Sequence, residues 1–145
     1  MLSAPLWERA LDLGLGIATH QGHQDIGQGL NDLRQHSRIE GEIHANLALA
    51  QKYSVSALIV FSGSRRTDLS DEEGSENMAL GLRRVAHTAE QAGETLLLEM
   101  LNSKTDHPGY QCDGTAGARK SAAGWTLRTL NCSTISTICR SWKGI

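Results

Sequence analysis

Two kinds of apolar spacing alternate along the chain. Between Ser75 and Ala92, Met78, Leu82, Val85 and Ala89 recur at three- or four-residue intervals. This is the period of one helix face, and Gly93 follows where a helix commonly ends. Ile39, Ile43, Leu47 and Ala50 repeat the pattern upstream, with Glu40, Glu42 and Gln51 between them, predicting another amphipathic helix. Elsewhere the apolar residues are consecutive. Ala57 to Phe61 form a short run stopped by Ser62, Gly63 and Ser64, and Thr95 opens a second run through Leu96, Leu97 and Leu98. Such runs predict strands buried on both faces. Leu13 to Ala18 alternates glycine with apolar residues before Thr19, His20, Gln21, Gly22 and His23, and is read as a first buried strand opening into a loop. Strand, helix, strand, helix, strand, with crossovers long enough for parallel pairing, predicts an α/β fold.

Size and charge narrow the reading. The chain has 145 residues, enough for one sizeable core but short of the roughly 250 of a closed eight-stranded α/β barrel. A formal charge of -2, with no basic face or block of like charge, points away from nucleic acid and anionic membranes and leaves a small molecule as the expected partner. No apolar stretch approaches the roughly 20 residues of a membrane span, and the opening residues lack the features of a signal peptide, so a cytoplasmic location is expected. Cys112, Cys132 and Cys139 are odd in number and lack zinc-site spacing, and are read as free thiols.

In parallel α/β folds the active site gathers at the carboxyl ends of the strands. All three predicted strand ends carry polar groups: His20 and His23 after the first, Ser62, Ser64, Arg65 and Arg66 after the second, and Glu99, Asn102, Lys104, Asp106 and His107 after the third. Glu99 closes an otherwise apolar run. Burying an ionised carboxylate costs several kcal/mol unless a cation, a proton or hydrogen bonds compensate, so Glu99 is the leading candidate for chemistry, as a metal ligand or an acid/base group. The bland alternatives are a solvent-facing edge residue or one tied to a structural arginine. His20, His23, Asn102 and His107 are the candidate substrate-binding residues. For the two loop histidines, simple exposure competes with that role. Arg65 and Arg66 suit a phosphate or carboxylate held by bidentate hydrogen bonds, but surface exposure is the preferred reading. His36, His44 and His87 are read as structural, and the glycine-rich pieces match neither a dinucleotide nor a phosphate-loop spacing.

Several stretches are recognisable together: IVFSGSRR (Ile59 to Arg66), LSDEEGSEN (Leu69 to Asn77), LLLEMLNSKTDHPGYQCD (Leu96 to Asp113) and, more loosely, GIATHQGHQDIGQGLND (Gly16 to Asp32). With these the chain resembles the hydroxypyruvate isomerase-like branch of the xylose isomerase-like barrels. The resemblance implies a (β/α)8 barrel that isomerises or epimerises small sugars or hydroxy-keto acids. It also implies a divalent metal, Mg or Mn, held by Glu, Asp, a His or Gln, and a second Glu. Glu99 matches the first of these carboxylates and, in the resemblance, is also an acid/base candidate. Met1 falls partway into the family pattern, with the first strand or two expected to be missing.

The last part of the chain departs from that pattern. After Asp113 there is no acidic residue, serine and threonine accumulate, and neither helical nor strand period persists. The expected family continuation, a peptide close to LLYDIYHMQIMEGDL, supplies codons that read one nucleotide out of frame as the stretch ending Thr137, Ile138, Cys139, Arg140, Ser141, Trp142, Lys143, Gly144, Ile145. Met before Gln must then yield Cys139, and Met before Glu must yield Trp142. The expectation is therefore a partial (β/α)8 barrel of about three strand-helix units over residues 1–116, followed by a disordered or non-native out-of-frame tail over residues 117–145. Such a chain, with one metal ligand of several, is expected to be inactive and not to hold the metal. A non-catalytic fragment and a small α/β binding protein are the competing readings.

Overall fold

The computed structural model describes residues 4–114. Four helical segments and three strands follow one another: α1 (Ala4–Asp12), β1 (His20–Gln21), a 3-10 turn (Leu33–Gln35), α2 (His36–Tyr53), β2 (Ala57–Val60), α3 (Asp71–Ala92) and β3 (Thr95–Leu98). The strands form one parallel sheet in the order β1-β2-β3. This mixed α/β arrangement is the expected fold class. Residues 117–145, with Cys132, Cys139 and the proposed out-of-frame stretch, lie outside the described residues.

The helices form where the apolar spacing places them, and local chemistry sets their ends. α3 starts at Asp71 rather than Ser75, because Ser70 makes a capping box. Its Oγ accepts from the Glu73 N–H at 3.2 Å, and the Glu73 carboxylate accepts from the Ser70 N–H at 3.0 Å. Asp71, Glu72 and Glu73 place negative charge against the helix N-terminus. Gly93, at φ 73°, closes the helix in the left-handed conformation and donates its N–H to the Ala89 and Glu90 carbonyls. The stripe Met78, Leu82, Val85, Ala89 is buried, as are Ile39, Ile43, Leu47 and Ala50 of α2.

Strand alternation then decides which residues meet these helices. Leu58, Val60, Leu96 and Leu98 are all buried and pack with the α2 and α3 stripes in one core. Each fully buried leucine or valine contributes roughly 1.5–3 kcal/mol over its exposed state. Ile59, Leu97 and Thr95 alternate with them on the other face and are only half-buried. The register pairs Leu58 with Leu96 and Val60 with Leu98, so the two faces stay distinct across β2 and β3.

The first strand corrects the expectation for Leu13 to Thr19. Leu13 and Leu15 are about 60% exposed, Gly14 turns at φ 73°, and pairing begins only at His20, opposite Leu58. Glycines give a strand no side chain to pack, and β1 is an edge strand among the described residues, so nothing draws the upstream stretch into the sheet. Of its apolar residues Ile17 packs half-buried against the core, and Trp7 of α1, a helix the spacing did not indicate, fills the core beside Tyr53. Trp7 is buried edge-on against Tyr53, with ring centroids 5.0 Å apart.

Candidate functional site

Glu99 is the first residue beyond β3. Its N–H donates to the Val60 carbonyl at 2.9 Å, continuing the parallel ladder. By alternation it lies on the face of Ile59 and Leu97, opposite the helices, at the carboxyl end of the sheet. The side chain is half-buried. Burial raises its pKa above the ordinary carboxylate value, and His107 partly offsets this by favouring the charged form. The structure thus brings two of the expected residues, Glu99 and His107, into electrostatic contact.

The loop after Glu99 is built to achieve this. Asn102 accepts twice within it: its Oδ1 from the Lys104 N–H and its carbonyl from the His107 N–H, each at 2.9 Å. His107 accepts in turn from the Tyr110 N–H at 3.0 Å, and Gly109 takes φ 79° to complete the return. Asn102 therefore acts here as the loop's own fastening. Tyr110, which the sequence reading did not single out, is driven into the gap between strand ends. Its buried hydroxyl donates to the Glu99 carbonyl at 3.1 Å and accepts from the Ser62 N–H at 2.9 Å. Burial pushes its pKa upward, so it stays a neutral phenol. The only hint in the sequence is an aromatic placed directly after the His107-Pro108-Gly109 turn.

His20 and His23 depart from the expectation that they face a substrate. His20 is in register with Leu58 and shares its helix-facing side, away from the face of Glu99. Its ring meets Trp7 edge-on at 4.6 Å between centroids. Burial lowers its pKa, and neither its Nε2 nor the Trp7 Nε1 has a hydrogen-bond partner among the described residues. His23 is fully buried against Phe61. Its Nδ1–H donates to the Gln24 carbonyl, and its Nε2 accepts from the Phe61 N–H, each at 2.9 Å. Those partners fix the neutral tautomer, burial lowers the pKa, and both nitrogens are spent on joining the β1 loop to the end of β2.

Arg65 and Arg66 are placed by acids rather than left loose. Arg65 pairs with Asp71 at 3.0 Å and Asp113 at 3.2 Å and also donates to the Tyr110 carbonyl at 2.8 Å. Arg66 joins Asp32, at 2.8 Å, to Asp68.

The divalent cation implied by the resemblance needs several oxygen ligands converging on one point. Among the described residues no three His, Cys, Asp or Glu side chains converge in this way. Glu99 with His107 does not fit such an ion.

No family model and no curated protein matches the chain. Solved structures do. A D-tagatose 3-epimerase-like protein superposes with a TM-score of 0.71 at 16% identity, over 87% of this chain and 47% of its own. A 3-keto-D-glucoside 4-epimerase from E. coli gives 0.69 at 18% identity, over 86% of this chain and 50% of its own, and an L-ribulose 3-epimerase gives 0.61 at 20%, over 87% and 43%. The fold is a partial (β/α)8 barrel. The chain spans about half the length of the solved structures it matches. In that fold the face bearing Ile59, Leu97 and Glu99 is the barrel interior, and the carboxyl ends of the strands are the end where active sites are built.

Proposed function

We propose that this chain carries the acid/base carboxylate of a sugar or hydroxy-keto acid isomerase or epimerase, with Glu99 as the proton-transferring group. The single observation that carries the reading is the position of Glu99: inner face, carboxyl end of β3, half-buried, with His107 beside it. The three solved neighbours, all sugar epimerases or similar to one, support the same class of substrate. The hydroxypyruvate isomerase-like motifs extend it to hydroxy-keto acids.

The chemistry follows from that position. The Glu99 carboxylate takes the proton from the carbon beside a substrate carbonyl, leaving an enediolate. Returning the proton to the opposite face of that carbon epimerises it, and delivering it to the neighbouring carbon isomerises the substrate. A base of raised pKa is better matched to such a carbon acid than an ordinary glutamate. In this reading His107, in electrostatic contact with Glu99, holds a substrate oxygen. With proton transfer assigned to Glu99 alone, the expected reaction is exchange of the substrate's proton without net isomerisation.

Proton NMR of hydroxypyruvate or D-tagatose incubated with the chain in D2O tests this. Deuterium should enter beside the carbonyl faster than in buffer, and Glu99→Gln should remove the acceleration. Equal exchange by both proteins, or none by either, would favour the non-catalytic fragment.

A further inference from the structure

The loops after β1 and β2 enclose a cleft of about 520 Å³ whose lining includes Asn31, Asp32, Arg34, Ser64, Arg65 and Arg66. It opens at the same end of the sheet as Glu99. Ser64 forms an isolated bridge with Tyr110, whose hydroxyl reaches the Glu99 carbonyl. We propose that this cleft is an oxyanion-binding subsite, taking a carboxylate or phosphate group. The inference rests on the preceding reading only in assigning that group to the substrate.

Charge within the cleft favours an anion. Three arginines line it against one carboxylate, Asp32. The other acids of the network sit outside the lining, Asp68 and Asp71 more than 60% exposed and Asp113, which pairs with Arg65, 35% exposed, so water screens them better than Asp32, which is 13% exposed. Asp32 is itself shared: Arg34 reaches it through Nε and Nη2, and Arg66 through Nη1 at 2.8 Å. Two guanidiniums converging on one carboxylate neutralise it and leave the lining cationic.

Donors remain for a ligand. A guanidinium carries five N–H groups. Nη1 of Arg34 makes no hydrogen bond with any described residue, and Nη1 of Arg66 has only Asp32. The positions are also held in advance. Asp68 fixes Arg66, and Asp71, Asp113 and the Tyr110 carbonyl fix Arg65, so little side-chain entropy is lost on binding. An oxyanion entering here meets the Nη1 of Arg34 and the remaining N–H of the Arg66 Nη1, two charge-assisted donors from different residues.

Titration of the 145-residue chain with inorganic phosphate, and separately with glycolate, followed by 15N–1H NMR, tests the proposal. Amide shifts at Gly27, Asn31 and Ser64 should saturate with at least one anion, and the tighter of the two identifies phosphate or carboxylate as the natural group. Arg34→Gln should weaken binding about fivefold, the loss of a charge-assisted contact. Asp32→Asn keeps a capping side chain for the 3-10 turn but removes the competing charge, so it should tighten binding. Non-saturating shifts with both anions, or an Asp32→Asn variant that binds no tighter, would overturn the subsite. Glu99→Gln separates the two readings. It should abolish proton exchange and leave anion binding intact: exchange that survives the substitution overturns the Glu99 assignment alone, whereas non-saturating anion shifts in the unsubstituted chain overturn the subsite alone.

Discussion

Replacing His23 by Phe removes a neutral imidazole whose two nitrogens are both inside hydrogen bonds, and the cost follows from what is left behind. The Phe61 N–H loses its acceptor in a fully buried place, which costs about 1–3 kcal/mol, and the Gln24 carbonyl loses a donor, adding about 1 kcal/mol. A loss of about 2–4 kcal/mol at pH 7.5 is expected from urea unfolding. The pH dependence carries the sharper test. Burial lowers the folded pKa of His23 below its ordinary value of 6.5, with Arg38 acting the same way and the Gln24 carbonyl and Glu42 opposing it. The unfolded chain therefore binds the proton first. The full contribution of His23 is present above pH 6.5 and declines as pH falls towards the folded pKa, at up to about 1.4 kcal/mol per pH unit. His20 acts with the same sign. Glu94 and Glu99, whose pKa values burial raises, act oppositely: their contribution is present below the carboxylate's ordinary 4.5 and is lost as pH rises through the folded pKa. These terms are common to wild type and variant, so their difference isolates His23. The stability gap should narrow as pH drops below 6.5. A gap that is constant with pH, or one below about 0.5 kcal/mol at pH 7.5, would mean that His23 is not the buried neutral clamp described here.

Two further outcomes follow. Gly29→Ala would place its Cβ 2.2 Å from the Gly63 nitrogen and 2.3 Å from the Ser62 carbonyl carbon. Both are backbone atoms, so the β1 and β2 loops must part, and a loss of about 4 kcal/mol or more is expected. Gly41→Ala in α2 meets nothing within 4 Å and should instead gain about 0.5–1 kcal/mol, so equal melting midpoints for the two variants would refute the close approach. The gene provides a test of the last segment: the nucleotides after the Ala116 codon should encode a YDIYHMQ-like peptide in another frame, and their failure to do so would end the frameshift reading.

The parts of this fold that were legible in the sequence are those where one physical signal acts alone. α2, α3, β2 and β3 each bury a face against the others, so hydrophobic period and element agree. β1 was misplaced because its position depends on a neighbour: only the pairing of His20 with Leu58 says where the strand begins, and no apolar alternation around His20 marks a face. The same missing information misdirected the histidines. Nearness to a strand end put His20 and His23 among the site candidates, but the side of the sheet each occupies is decided by register, and register turned one towards Trp7 and spent the other on the Phe61 N–H. Glu99 was readable because a lone charge after three leucines stands out whatever its partners. Tyr110 was not, since its role is a contact between the ends of two strands distant in sequence. The candidate site is thus divided in how it is encoded: the reactive carboxylate is written locally, whereas the groups that orient it exist only once β2 and β3 are paired. It follows that removing the Tyr110 hydroxyl, which holds the Glu99 carbonyl, should disturb the placement of Glu99 more than changes at the far more conspicuous His20 and His23.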